Sequence, residues 1–140
     1  MLEVAELSVD YGRHRALSGV ALTVARAEIV VLLGANGTGK STLLKAVAGL
    51  TPARPGARIA LNGQSLVGIP PHRIVNAGLA LVPEGRGVFG ELSVAENLAL
   101  GAYPPRARTQ EAQTRDTVLA LFPRLAERKR NRGKQLSGGE

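Results

Sequence analysis

The segment at residues 34–42 constrains the fold more than any other part of this sequence. It reads Gly-Ala-Asn-Gly-Thr-Gly-Lys-Ser-Thr and matches the pattern G-x-x-x-x-G-K-[ST]. The apolar run at 29–33 predicts a buried parallel strand, and residues 43–48 predict a helix that ends at Gly49. A strand, a glycine loop and a helix in this order direct backbone N–H groups and a helix N-terminus towards one anion. The segment therefore predicts a phosphate-binding loop. A glycine turn without a ligand is the alternative, and the flanking strand and helix disfavour it.

The residues of this loop suit contact with a nucleoside triphosphate. Gly34, Gly37 and Gly39 allow positive φ angles and let the backbone approach phosphate oxygens closely. Lys40 is predicted to reach the β- and γ-phosphates, and Ser41 to offer its hydroxyl oxygen to Mg²⁺, which prefers oxygen ligands. The other predicted nucleotide contacts in the loop are Ala35, Asn36, Thr38 and Thr42. Because many unrelated NTPases share such a loop, it does not identify the nucleotide.

Composition excludes several other classes of protein. The 140 residues contain no cysteine, which rules out a disulfide framework, a thiolate metal site and a thiol nucleophile. The longest apolar runs are strand-length, and the first residues do not form a signal segment. We therefore expect one domain in a reducing compartment, neither secreted nor membrane-spanning.

The net charge of +7 is concentrated near one end of the sequence. The basic cluster consists of Arg124, Arg128, Lys129, Arg130, Arg132 and Lys134. It could bind nucleic acid, or it could be a solvated helix end and loop near a membrane face. We favour the second interpretation because aromatic residues, which stack on bases, make up only 3% of the chain.

The pattern of apolar residues divides the chain into strands and helices. Alternation at 2–9 and 20–24, and a strand at 58–61 before an Asn-Gly turn, predict antiparallel strands around the glycine loop. Residues 70–78 predict a short helix with proline in its first turn and glycine past its end, and 79–83 a second buried strand. Ser93 and Glu96 form a capping-box pattern that begins a helical region. The two histidines, His14 and His72, have no acidic partner at ligand spacing and are interpreted as surface residues.

Residues 136–140 complete a pattern that points to one family. They read Leu-Ser-Gly-Gly-Glu, about a hundred residues after the first glycine loop, and resemble the LSGGQ signature of ABC-type ATPase domains. The resemblance implies an α/β fold: a P-loop NTPase core with an N-terminal antiparallel β subdomain and an inserted helical lobe, with the C-terminal half of the core absent. The implied divisions are a β and P-loop core with the Q-loop region at 1–92, a helical lobe at 93–135 and the start of the signature at 136–140.

Four further segments resemble one subfamily. Residues 71–74, 82–86, 100–103 and 121–125 together look like the ATP-binding subunit of branched-chain amino acid importers. Related amide and urea importers share such segments, so the solute is a weaker inference than the family.

The resemblance also implies roles for individual residues. Tyr11 stands where the family has an aromatic residue that stacks on adenine, and Glu84 stands at the Q-loop position, near Mg²⁺ and the triphosphate. Ser137, Gly138 and Gly139 would contact the ATP held by a second ATP-binding subunit, paired head to tail with this one. The implied cofactors are ATP and Mg²⁺. The implied partners are that second subunit and transmembrane permease subunits, which hold the protein peripherally on the cytoplasmic side of the cell membrane, with no nucleic acid.

Three departures from the family pattern bear on the expected activity. Glu84 and Glu140 both stand where the family usually carries glutamine. The family's Walker B strand, with its catalytic glutamate, would follow residue 140, so no catalytic residue is assigned. We therefore expect residues 1–140 alone to bind ATP weakly and hydrolyse it negligibly, with an unpaired sheet edge. The alternatives are a regulatory fragment that associates with intact transporter subunits and another P-loop enzyme, such as a small nucleotide kinase.

Overall fold

The computed structural model describes residues 1–85 and 87–140, which form two compact units, Met1–Leu81 and Val82–Glu140. Arg86, the last residue of the 82–86 motif, lies outside the described residues.

The first unit contains one antiparallel sheet of four strands. They are β1 (Leu2–Tyr11), β2 (His14–Val24), β3 (Arg58–Leu61) and β4 (Gln64–Ser65), in the order β2-β1-β3-β4. β1 and β2 form a hairpin, and the predicted Asn-Gly turn joins β3 to β4, with Asn62 and Gly63 both at positive φ. The predicted antiparallel strands are therefore confirmed.

Two helices complete this unit and supply part of its core. They are α1 (Lys40–Val47) and α2 (Pro71–Ala77), the second with proline at its first position and Gly78 as its left-handed end. α1 buries Leu43, Ala46 and Val47, which lie on one face at i, i+3 and i+4 spacing. They belong to a core of ten buried residues, whose other members are Val4, Leu7, Val9, Leu17, Ile59, Leu66 and Ile74.

The two predicted buried strands are not strands in the structure. Residues 29–33 and 79–83 form no ladder with any described segment. Ile29, Val31 and Leu33 are 91%, 70% and 88% exposed, whereas Leu32 packs against the core. The segment thus alternates as an extended chain does, with one face inward. The prediction of two buried strands was wrong. A buried strand needs a neighbouring strand to pair with, and none of the described segments supplies one.

The second unit is helical, as predicted from the capping box onward. Its elements are α3 (Val94–Leu100), α4 (Pro105–Arg108), α5 (Glu111–Leu121), α6 (Pro123–Glu127) and a 3₁₀ turn at Gly133–Gln135. The capping box is confirmed, since the Ser93 N–H donates to Glu96 Oε2 at 2.7 Å and the Glu96 N–H donates to Ser93 Oγ at 3.2 Å. No helix among the described residues has the length and apolar character needed to cross a membrane.

We expect the first unit to depend on Leu7, whose side chain is fully buried. Leu7→Ala should lower the free energy of unfolding by about 3 kcal/mol, because it removes buried methyl groups and leaves a cavity. Urea denaturation followed by circular dichroism measures the change. Leu50→Ala is the control, because Leu50 is 57% exposed, and it should change stability by less than about 0.5 kcal/mol. Equal losses in the two variants would contradict the assignment of Leu7 to the core.

Candidate functional site

The glycine loop is closed by its own lysine. The Lys40 ammonium donates to the carbonyl oxygens of Gly34 at 2.7 Å and Ala35 at 2.6 Å. The Thr38 hydroxyl donates to the same Ala35 carbonyl at 2.9 Å. Charge-assisted bonds of this length are strong. They hold the ammonium inside the loop, where the sequence predicts phosphate contacts.

Gly39 lets the loop lie directly on strand β2. Its φ is +92°, and a Cβ built there would lie 2.6 Å from Leu17 Cδ2 and 2.9 Å from the Ala16 carbonyl oxygen. Any side chain would therefore be strained by its backbone and would also collide with the strand. Gly37 has a φ of +84°, but nothing lies within 4 Å of its would-be Cβ. The packing of the loop against β2 therefore requires a glycine at position 39 but not at position 37.

The loop passes directly into the N-terminus of α1. The Leu43 N–H donates to the Gly39 carbonyl at 2.8 Å, which begins the helix. The first N–H groups of an α-helix have no partner within the helix, so they remain available to an anion. Ser41 is exposed at this end, and Thr42 is half-buried. A cavity of ≈ 270 Å³ adjoins the loop and is lined by Leu17, Val20, Leu32, Leu33, Gly34, Thr38, Gly39, Lys40 and Leu43.

Tyr11 lies close to the start of α1, although 31 positions separate it from Thr42 in the sequence. It is the last residue of β1 and is 48% exposed. Its phenol oxygen is 3.5 Å from Thr51 Oγ1. Hydrogen bonding to Thr51, and then to Thr42, lowers the pKa of Tyr11 below its usual value. The structure thus brings the predicted aromatic residue and the glycine loop together in one unit.

An acidic residue beside Tyr11 was missed by the sequence analysis. Asp10 binds Arg15 at 3.1 Å through one oxygen and Arg54 at 2.6 Å through the other. The hydrogen bond from Arg15, followed by that from Arg54, lowers the pKa of Asp10. The turn after Tyr11 could have suggested the pairing with Arg15, but no sequence pattern links Asp10 to Arg54.

The other predicted site residues lie in the second unit. Glu84 is exposed in a bend after Pro83. Ser137, Gly138 and Gly139 lie in an exposed turn. Their predicted roles towards ATP and Mg²⁺ stay predictions.

Glu140 holds the turn at 137–140. Its carboxylate accepts the Ser137 N–H at 2.9 Å and binds Arg128 Nε at 3.1 Å. The Glu140 N–H donates to the Ser137 carbonyl at 3.2 Å. The hydrogen bond from the Ser137 N–H is the largest cause of the lowered pKa of Glu140. A glutamate at this position therefore anchors the turn to the residue that follows α6.

This arrangement is that of an α/β fold of the P-loop NTPase class. A solved structure described as "Structure of ATP binding subunit of ABC transporter" superposes with a TM-score of 0.86 at 32% identity, covering 99% of this chain and 57% of that one. This likeness confirms the predicted α/β fold of the P-loop NTPase class.

Sequence comparison then identifies the family. Residues 17–140 match the family model described as "ABC transporter", so the chain belongs to that family. It is 46% identical, over all 140 residues, to the High-affinity branched-chain amino acid transport ATP-binding protein BraG of Pseudomonas aeruginosa, of which it covers 59%. It is 36% identical over 141 aligned positions to the Probable branched-chain amino acid transport ATP-binding protein LivF of Archaeoglobus fulgidus, of which it covers 58%. The chain thus spans a little over half the length of these relatives.

The packing at Gly39 makes a testable distinction between two glycines of the loop. Gly37→Ala should lower the free energy of unfolding by about 1 kcal/mol, the cost of a left-handed alanine. Gly39→Ala has the same backbone cost and also forces the loop away from β2, which should add about 1–3 kcal/mol. Thermal and urea denaturation of the two variants measure the difference. Equal destabilisation would show that the loop does not rest on β2 through Gly39.

The turn at 137–140 should respond to acid. The pKa of Glu140 is held below its ordinary value of 4.5, so the carboxylate stabilises the turn above that pH. This contribution is lost as the pH falls through the lowered pKa. The amide proton shift of Ser137, followed by NMR, should titrate with a midpoint below 4.5. Glu140→Gln should abolish this titration and Glu127→Gln should preserve it. A midpoint at or above the ordinary value would refute the interaction.

Proposed function

We propose that this protein is the ATP-binding subunit of an ABC importer for branched-chain amino acids or related solutes. The observation that carries the proposal is the Lys40 ammonium, held inside a helix-starting glycine loop in a chain that belongs to this family. The solute class rests on the 46% identity to a relative named for branched-chain amino acid transport.

Binding of ATP would begin with an exchange of partners at Lys40. The ammonium now bonds two carbonyl oxygens, which are neutral dipoles. The β- and γ-phosphates of ATP carry full charge, and a unit charge pair near 4 Å gains about 4 kcal/mol at an effective dielectric constant of 20. Lys40 would turn towards them, and the N–H groups at the start of α1 would bond the same oxygens.

Mg²⁺ would arrive with the nucleotide. No group of three or more histidine, cysteine, aspartate or glutamate side chains that could hold a metal ion occurs in residues 1–85 and 87–140. Mg²⁺ in nucleotide sites keeps several waters and takes only one or two protein ligands beside the phosphates. The exposed Ser41 hydroxyl fits such a site, and Glu84 is proposed as a second group near the ion.

The remaining residues would complete the nucleotide site. Tyr11 would stack on adenine, and Thr42 would lie near the α-phosphate. Ser137, Gly138 and Gly139 would contact the ATP of the second subunit through backbone N–H groups. Closure on ATP and reopening after its hydrolysis would move the permease subunits, with the helical region and the Glu84 loop as the coupling surface. We propose the boundaries 1–92, 93–135 and 136–140 for these parts, and a peripheral position on the cytoplasmic side of the membrane.

Two of the earlier alternatives lose support. Membership of the ABC transporter family argues against a small nucleotide kinase. Four of the six residues of the basic cluster form ion pairs with glutamates, which supports a solvated surface and argues against a nucleic-acid site. These are Arg124 with Glu127, Arg128 with Glu140, and Arg132 and Lys134 with Glu91.

Lys40→Ala tests the proposal. It should weaken binding of ATP in the presence of Mg²⁺ by roughly tenfold to a hundredfold, because it removes a charged donor to the phosphates. Isothermal titration calorimetry measures the affinity, and circular dichroism shows that the variant is folded. Lys129→Ala is the control, because Lys129 is an exposed lysine in the other unit. Unchanged affinity in Lys40→Ala would refute the proposed site.

In cells, the same pair of variants tests the transport role. Lys40→Ala should abolish uptake of labelled leucine, isoleucine and valine, whereas Lys129→Ala should leave it intact. Loss of urea uptake, with amino acid uptake intact, would assign the protein to a related importer.

A further inference from the structure

Asp10 joins three segments that are separate in the sequence. Arg15, its direct partner across the β1–β2 hairpin, binds one carboxylate oxygen. Arg54, which lies 44 positions away in the loop after α1, binds the other at 2.6 Å. Both oxygens of the carboxylate are therefore engaged, each by a cation.

The loop after α1 is attached to the end of β1 at two further points. The Arg54 N–H donates to the Ser8 carbonyl at 2.8 Å. Thr51 Oγ1 lies 3.5 Å from the Tyr11 phenol oxygen and is buried. We call these contacts between the end of β1 and the loop after α1 the clasp: Asp10 with Arg54, Ser8 with Arg54, and Tyr11 with Thr51. Tyr11, the residue next to Asp10, is therefore held by the clasp.

The clasp connects the two parts of the proposed nucleotide site. One side is the end of β1, which carries Tyr11. The other is continuous with α1, since the Leu50 N–H donates to the Lys45 carbonyl at 2.8 Å. The N-terminus of this helix follows the glycine loop. The distance between a base on Tyr11 and phosphates at Lys40 therefore depends on how firmly this loop and β1 are joined.

We propose that Asp10 is a positioning residue for nucleotide binding: with Arg54 it holds Tyr11 at the separation from the glycine loop that one nucleoside triphosphate spans. The inference rests on the proposed function and deepens it. Asp10 does not contact the nucleotide. It acts through Tyr11, and so it affects ligands that carry a base and not those that consist of phosphates alone.

Neutralising Asp10 would separate the joined segments. Arg15 and Arg54 share one counterion, and Lys45 adds a further positive charge near Tyr11. Without the carboxylate the two guanidinium groups repel each other, and the loop after α1 moves away from β1. Because all three side chains are partly exposed, the effect on overall stability is small.

The test compares two ligands in Asp10→Asn: ATP and inorganic tripolyphosphate, each with Mg²⁺. We expect the affinity for ATP to fall roughly fivefold, which is the effect expected from the loss of one good ion pair. The affinity for tripolyphosphate should stay as in the wild type. Calorimetry measures both. A merely structural defect would weaken both ligands alike, and that outcome, or unchanged ATP affinity, overturns the proposal.

Changes at Arg54 provide an independent check. Arg54→Gln should reproduce the selective loss of ATP affinity, and Arg54→Lys should restore part of it because it keeps the charge. The double variant Asp10→Asn with Arg54→Gln should bind ATP no more weakly than either single variant, since both remove the same interaction. Additive losses would overturn the proposal.

A matched carboxylate serves as the control. Glu127 binds Arg124 at 2.6 Å, the same separation as Asp10 and Arg54, but in the other unit. Glu127→Gln should leave the affinity for both ligands unchanged, and a selective loss of ATP affinity in this variant would overturn the assignment to Asp10. A wild-type chain that binds neither ligand would instead refute the proposed function, and this inference with it.

Discussion

The first unit depends on the close approach of the glycine loop to strand β2 at Gly39. There is no room for a Cβ between the loop and the Leu17 side chain, so the loop, the first turn of α1 and the sheet form one packed body. α1 then buries three residues against the same core. This contact places the helix N-terminus and Lys40 on a rigid base, as an anion site built from backbone N–H groups requires.

The same sheet carries the residues that would contact the rest of the nucleotide. β1 ends at Tyr11, and the hairpin with β2 sets its position along the sheet. The loop after α1 returns to β1 at Ser8, Asp10 and Tyr11. The chain therefore leaves the sheet, forms the glycine loop and helix, and comes back to the sheet beside the aromatic residue. Tyr11, the proposed base platform, and the glycine loop, the proposed phosphate site, are thus parts of one closed path.

Sequence patterns predicted the elements that depend on local chemistry. The helix that follows the glycine loop, the Asn-Gly hairpin and the Ser93–Glu96 capping box each rest on residues close together in the chain, and each is confirmed. The strand at 29–33 was predicted wrongly because its apolar pattern says nothing about which segments pair with it. The Asp10–Arg54 pair was missed for the same reason: it joins residues 44 positions apart, and only the folded sheet brings them together.

The ammonium of Lys40 has neutral hydrogen-bond partners, which it could exchange for an anion. Several other basic side chains bind carboxylates: Arg54 with Asp10, Arg128 with Glu140, and Arg132 and Lys134 with Glu91. A lysine paired in this way would have to break an ion pair before it met a phosphate. Lys40 is held by the carbonyl oxygens of Gly34 and Ala35 instead. These dipoles satisfy the ammonium without neutralising it, so its full charge remains available to a triphosphate. Carbonyl partners thus keep the loop ordered and still favour exchange with an anion.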